Sequence, residues 1–355
     1  MNFENISNNT KMNQVKSKNI FDDLKSDYFL QKVCDNITKK KTLEIMNYNK
    51  KLQRRVKLTF NDYKEFSQLY SSIIIELNLI ENKYDKFINI KEEEKDFFHI
   101  YFDNSKEEIK RDYLNQNEKV KIVKVKINYQ VESFHDLFGN CKCIGSIFFK
   151  QFNRINITNM SNMFYNCLSL KEINFSNFIT DNVKTMTSMF YGCVSLKELN
   201  LSNFNTKNVT CMHNMFGLCL SLEELNLSNF NTSNVTTMSN MFFECASLKK
   251  INVSSFNTIN VVQMFSMFCG CKSLKELDIS NFTISNACDM GFMFGGCISL
   301  KELDISNFTI SNACNTENMF NRCSDELIKK INLSYKNSNT EENNWLNNFC
   351  NCIII

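Results

Sequence analysis

From Leu170 to Ser324 a single pattern of apolar and polar positions recurs every 26 residues. Beginning at Leu196 it reads LKELNLSNFNTKNVTCMHNMFGLCLS; it restarts at Leu222, and looser copies begin at Leu248, Leu274 and Leu300. Leu199 and Leu201 alternate with polar residues, as a short half-buried strand requires, and Phe204 turns inward after Ser202 and Asn203. Val209, Met212, Met215 and Phe216 then recur at gaps of three and four, the spacing of one helical face. A unit of this size cannot bury its apolar face alone. The pattern therefore predicts an α/β repeat fold, a solenoid of about seven coils stacked ~4.8 Å apart around one continuous core.

Two further columns follow the same period. Cys141, Cys167, Cys193, Cys219, Cys245, Cys271, Cys297 and Cys323 close successive units, where a small apolar side chain packs well. Asn156, Asn182, Asn208, Asn234, Asn260, Asn286 and Asn312 precede the helical spacing. An amide at that turn bonds the backbone of its own and neighbouring coils, so this column reads as a structural ladder. Asn177, Asn203, Asn229, Asn281 and Asn307, interrupted by Ser255, read the same way.

Leu196, Leu199 and Leu201 follow the L-x-x-L-x-L spacing of a leucine-rich repeat. The longer wording MFxxCxSLKELNLSNFNTxNVTxM resembles the BspA-like class of leucine-rich repeats, over Phe134 to Leu333. That resemblance implies a surface or adhesion protein among other roles, because proteins sharing the repeat differ in location and partner. Between the leucines, Glu172, Glu198, Glu224, Lys250, Glu276 and Glu302 form one column expected on the concave face. Asn174, Asn200, Asn226, Asn252, Asp278 and Asp304 form the next. Carboxylates and amides in such a stripe suit a basic or hydrogen-bonding protein partner, or simply keep that face soluble.

The N-terminal third is expected to differ. Residues 1–19 are polar, Asn-rich and expected to be disordered; residues 20–118 are expected to form a small, mostly helical domain. Within it, residues 21–56 are similar to an F-box at Phe29, Leu30, Val33, Ile37, Leu43, Ile45, Met46 and Lys50. That similarity implies a substrate adaptor docking a ubiquitin ligase scaffold; the alternative is a helical domain without such a partner. A helix is expected within Leu58–Leu79 and a strand at Phe97–Phe102. Residues 119–130 alternate Lys with Ile and Val, predicting a capping strand before repeats at 131–334. Its lysines Lys119, Lys121, Lys124 and Lys126 guard an exposed edge or meet an anionic partner.

Residues 335–355 are expected to seal the far end through Trp345, Leu346 and Phe349 and to finish in Cys352-Ile353-Ile354-Ile355. A cysteine four residues from the end, followed by aliphatic residues, is a C-a-a-X prenylation signal, and Ile355 favours geranylgeranyl. One prenyl chain anchors weakly. Palmitoylation of Cys350, or charge from Lys329, Lys330 and Lys336, would supply a second attachment to the membrane.

Composition narrows the rest. A net charge of +3 in 355 residues gives no reason to expect a nucleic-acid partner. The N-terminus lacks the apolar run of a secretory signal and no stretch reaches 18 apolar residues, so the expected place is the cytosolic face of a membrane, with free thiols. His99, His135 and His213 fall in separate neighbourhoods, no P-loop, G-x-G-x-x-G or H-E-x-x-H occurs, and the C-x-C pairs lack the grouping zinc needs. The expectation is a non-catalytic interaction scaffold without cofactor or metal.

Overall fold

The computed structural model of the chain describes residues 26–36, 41–42, 50–56, 60–284, 289–308 and 314–336. The chain divides into two compact units, residues 1–67 and 68–355. In the first, α1 (Asp27–Asn36) buries Leu30 and Cys34, and α2 (Lys50–Arg55) buries Leu52. Arg55 Nε meets Asp27 Oδ1 at 2.6 Å. Of the residues that carry the F-box similarity, Leu30 is buried and Val33 exposed. The side chains of Phe29 and Lys50, and Ile37, Leu43, Ile45 and Met46, lie outside the described residues, as do residues 1–19. Helix α3 (Phe60–Tyr70) contains the division between the units.

The second unit opens with a sheet of order β3-β2-β4-β1-β5-β6. Its strands are β1 (Ile73–Leu79), β2 (Phe98–Phe102), β3 (Glu108–Ile109), β4 (Ile122–Ile127), β5 (Ile144–Gln151) and β6 (Glu172–Asn174). Period-two alternation buries Ile73, Ile75 and Leu77 of β1 against Ile127, Val125 and Val123 of β4, directly opposite in an antiparallel register. Strand β4 lies between β2 and β1, so it is interior, and Lys124 sits opposite Glu76 in the register rather than along an edge. Strand β1 pairs antiparallel with β5, the first strand of the repeats, and β5 pairs parallel with β6.

The expected α/β leucine-rich-repeat solenoid with a helical N-terminal domain is corrected on both counts. Residues 73–127 carry four strands of a mixed sheet and a single described helical turn, the 3-10 helix Glu92–Phe97. No described helix lies between β5 and Ser324, and the L-x-x-L-x-L segments pair as strands only at β5–β6 and at β7 (Glu224–Asn226) with β8 (Lys250–Asn252), in separate sheets. The segment with helical spacing is instead a run of tight turns. Met215, Gly217 and Cys219 donate their N–H to Met212, Asn214 and Phe216, three residues back. The alternate residues Met212, Asn214, Phe216 and Leu218 donate to Thr237, Ser239, Met241 and Phe243 of the next repeat. An α-helix would direct every N–H to the fourth residue back; here half of them cross to a neighbour. The turns need left-handed backbone twice per repeat, as at Asn214 (φ 57°) and Leu218 (φ 57°). No helix accommodates that conformation.

Between repeats, parallel bridges link Ser133, Asn159, Thr185, Cys211, Thr237, Gln263, Asp289 and Asn315 in sequence. Beneath them Phe164, Phe190, Phe216, Phe242, Phe268, Phe294 and Phe320 stack ring on ring, with centroids 5.2–5.8 Å apart. Met and Val columns at 0 % exposure complete this core.

The first repeat has no predecessor to bond its carbonyls, and two residues supply the donors. Asn89 gives its N–H to the Leu137 carbonyl (2.7 Å) and its Nδ2 to that of Gly139 (2.8 Å). Arg154, fully buried, stands where Thr180, Thr206, Thr232 and Thr258 stand later. Its guanidinium donates to the carbonyls of Asn128 (2.7 Å), Tyr129 (2.7 Å) and Val131, and its Nε to Asn156 Oδ1 (2.9 Å). Burial pulls its pKa down to about 10, which leaves it cationic at neutral pH. At the other end Ser324 accepts the Leu327 N–H at 3.2 Å and starts α4 (Asp325–Lys336), whose Leu327 and Ile331 are buried.

Two stability outcomes follow from this arrangement. Leu218→Asn relieves a left-handed leucine that is only half-buried, and should raise stability by about 0.5–1 kcal/mol, read from the urea midpoint. Arg154→Met removes a fully buried donor to three carbonyls, and should cost roughly 1–3 kcal/mol in the same titration.

Candidate interaction face

In each repeat the strand-like segment buries its leucines and turns two polar columns outward. Glu172, Glu198, Glu224, Lys250, Glu276 and Glu302 are exposed, as are Asn174, Asn200, Asn226, Asn252, Asp278 and Asp304. The second column also has a local task. Asn174 Oδ1 accepts the N–H of Ser176 (2.9 Å), and Asn200, Asn226, Asn252, Asp278 and Asp304 accept from Ser202, Ser228, Ser254, Ser280 and Ser306 at 2.9–3.1 Å. These Asx turns end each segment and leave only the remaining amide or carboxylate atom for a ligand. Ser280 and Ser306 bonding holds the Asp278 and Asp304 carboxyls below the usual carboxylate range.

A groove of about 1040 Å³ crosses these columns, lined among others by Glu198, Asn200, Glu224, Asn226, Lys250 and Asp278. Lys249 pairs with Glu223 at 2.5 Å and Lys250 with Glu224 at 3.4 Å, so charge is balanced mid-groove. Glu198 and Glu276 on either side have no ion pair among the described residues. A smaller groove of about 630 Å³ continues past Glu276, Asp278, Glu302 and Asp304 to Lys330 and Leu333 of α4.

The other columns are committed to holding the repeats together. Asn182, Asn208, Asn234 and Asn260 donate Nδ2 to the carbonyls of Ile155, Asp181, Lys207 and Ser233 in the preceding repeat, at 2.6–2.9 Å. Asn156 donates to Tyr129 at 3.4 Å; Asn286 and Asn312 lie outside the described residues. Asn203 and Asn229 each bridge two carbonyls of the preceding repeat, and Ser255 reaches the equivalent pair, Leu227 (3.0 Å) and Phe230 (2.8 Å), with its hydroxyl.

One ladder, of threonines, escaped sequence reasoning. Buried Thr180, Thr206, Thr232 and Thr258 donate forward to the carbonyls of Asn205, Asn231, Asn257 and Thr283 at 2.9–3.0 Å. Their recurrence as Thr in four consecutive repeats was the available signal. The cysteines do more than pack. Cys167, Cys193, Cys219, Cys245, Cys271, Cys297 and Cys323 donate Sγ–H to the phenylalanine carbonyl 29 residues earlier, at 3.0–3.3 Å. Cys141, in the first repeat, contacts its own Gly139 carbonyl at 3.8 Å.

Potential reactive groups stay apart. His99 Nδ1 bonds Glu108 Oε1 (3.0 Å) and its Nε2 meets Asn128; His135 is exposed. His213 is half-buried, which lowers its pKa, and Cys211 takes its hydrogen bond from Thr187 (3.0 Å). Burial pushes the Cys143 thiol up to about 12, and that thiol donates to the Lys86 carbonyl at 3.2 Å. Among the described residues no group of three or more His, Cys, Asp or Glu could hold a metal ion, and no helix is long and apolar enough to cross a membrane. The lipidation candidates Cys350 and Cys352 lie outside the described residues.

Turn-built repeats joined by side-chain ladders define a tandem-repeat protein. Residues 132–250 and 220–335 each match the family described as "Mycoplasma protein of unknown function, DUF285". Together they cover more than half of the chain, which belongs to that family. No curated protein and no solved structure matches it.

The thiol ladder has a pH signature. Burial raises the folded pKa of Cys245 from 9.0 to about 12, and Cys193, Cys219, Cys271 and Cys297 also rise well above the ordinary value. Below the unfolded pKa the thiols are neutral in both states and their contribution is complete. As pH climbs past 9.0 the unfolded chain ionises first, and stability falls until Cys245 ionises in the fold near about 12. Denaturation midpoints in this window should therefore drop steeply. Cys245→Ala should flatten the slope by one proton, about 1.4 kcal/mol per pH unit.

Proposed function

We propose that this protein is a non-catalytic interaction module that binds a basic or hydrogen-bonding protein along the Glu and Asn/Asp columns. The observation that carries the reading is the groove spanning several consecutive repeats, with Glu198, Glu276 and Asp278 exposed and two of its three lysines, Lys249 and Lys250, already paired. Unpaired exposed carboxylates steer a cationic partner and fix its register, whereas the exposed Lys–Glu pairs are screened by solvent and add little to the fold itself. The same proposal places the module at a membrane through prenylation of Cys352, with Cys350 or Lys329 and Lys330 as the second attachment. Mass spectrometry of the C-terminal peptide from native cells should find a prenyl thioether; an intact CIII end would remove the anchor from the proposal.

For the face itself, the full chain and the double variant Glu198→Lys/Glu276→Lys would be used to capture proteins from source cells, with the exposed Lys184→Glu as control. Salt-sensitive capture should fall about tenfold in the double variant, about 1.4 kcal/mol, and hold in the control. Equal capture by all three would remove the groove as the binding surface. If ubiquitin ligase scaffold components were recovered equally by all three, the F-box-like adaptor reading would replace this one.

A further inference from the structure

The bonding rule of the repeats leaves one end open. In each repeat, alternate N–H groups point to the next one; Met290, Phe292 and Gly296 donate to Asn315, Glu317 and Asn321. The corresponding N–H groups of Thr316, Asn318 and Arg322 have no acceptor among the described residues. At the opposite end Asn89 meets two of the corresponding open carbonyls, those of Leu137 and Gly139. A row of unmet donors beside a buried phenylalanine stack is a template for one more turn segment.

The chain contains such a segment. Residues 344–352, Asn-Trp-Leu-Asn-Asn-Phe-Cys-Asn-Cys, align with residues 159–167, Asn-Met-Ser-Asn-Met-Phe-Tyr-Asn-Cys. Asn344, Asn347, Phe349, Asn351 and Cys352 are identical to Asn159, Asn162, Phe164, Asn166 and Cys167. The match falls where the backbone is most demanding. Asn162 (φ 57°) and Asn166 (φ 52°) are the two left-handed positions of that repeat, and the tail has Asn at both. Trp345 and Phe349 take the places of core residues Met160 and Phe164. Asn348 departs from buried Met163, as suits a terminal repeat with solvent on its far side. Residues 344–352 lie outside the described residues; the link of residues 337–343 reaches roughly 26 Å when extended, several times the ~4.8 Å step between neighbours.

We propose that residues 344–352 dock on this edge as a further, degenerate turn segment, with the carbonyls of Asn344, Leu346 and Cys350 accepting the N–H groups of Thr316, Asn318 and Arg322. In this register Cys352 enters the thiol column and Cys350 takes the outward place of Tyr165. Docking and prenylation of Cys352 then exclude each other within one molecule, because the transferase needs that thiol free. The edge thus gives the tail two alternative fates, and its docking does not depend on whether the anchor is used.

The test uses the full chain produced without prenyltransferase. Under native conditions N-ethylmaleimide should modify Cys352 at least about tenfold more slowly than Cys350, by peptide mass spectrometry, and at equal rates in urea. Trp345, the single tryptophan, should emit to the blue and resist acrylamide quenching. Asn347→Val/Asn351→Val, which forbids the left-handed turns, should bring Cys352 to the rate of Cys350 while leaving the remaining repeats folded. Equal native rates for the two cysteines in the unsubstituted chain would overturn the proposal. So would protection of Cys352 that appears only at high protein concentration, which would assign the edge to a second copy.

Discussion

Everything in the repeat region depends on how each backbone N–H is allotted. Alternate groups close tight turns within a repeat, and the others cross to the next repeat as in a parallel sheet. This division explains why the Met-Phe segment is neither helix nor strand, and why two residues per repeat must adopt positive φ. It also makes every repeat incomplete without neighbours. The first repeat is met by residues from outside the turn pattern, which gives Asn89 and Arg154 their importance.

The side-chain ladders repeat that logic at smaller scale. Each Asn, Thr or Cys donates to a carbonyl of the adjacent repeat, and each such bond contributes about 0.5–1.5 kcal/mol net when fully satisfied. Loss of one partner is costlier, because it strands a buried carbonyl. Ser255 shows what the position requires: a donor of the right reach, not an amide as such. The thiol ladder is the weakest of these hydrogen bonds, and its deep burial beside the phenylalanine stack keeps it dry.

The period, the core columns and the Asn columns were legible in the sequence because stacking repeats any residue that touches its own copy. The helix at Val209–Phe216 was misread because gaps of three and four also arise from consecutive turns with one apolar side. Asn140, Asn166, Gly192, Gly270 and Gly296 mark the left-handed column, but Leu218, Glu244 and Arg322 hide it. Near the N-terminus, the helix expected within Leu58–Leu79 is α3, and the Ile-Ile-Ile run that follows it is β1, whose start lacks the polar alternation that announces a strand. Alternation in β4 announced a strand correctly. Its interior place could not be read, because its partners β1 and β2 are chosen by contacts distant in sequence.

Ladder and face can also be separated by asking which columns the fold requires. Asn200 and its equivalents end a strand by an Asx turn, so their recurrence follows from folding alone. The Glu column makes no backbone bond of this kind. Yet the copies beginning at Leu274 and Leu300 keep Glu276 and Glu302 even though Asn has become Asp at 278 and 304. Lys250 is the one departure, and it arrives with Glu224 as its partner, returning that pair to neutrality. Glu302 in turn meets Lys330 at 3.4 Å, so this column is bound to the fold by side-chain ion pairs alone, where the Asn/Asp column is fixed by the turn it makes.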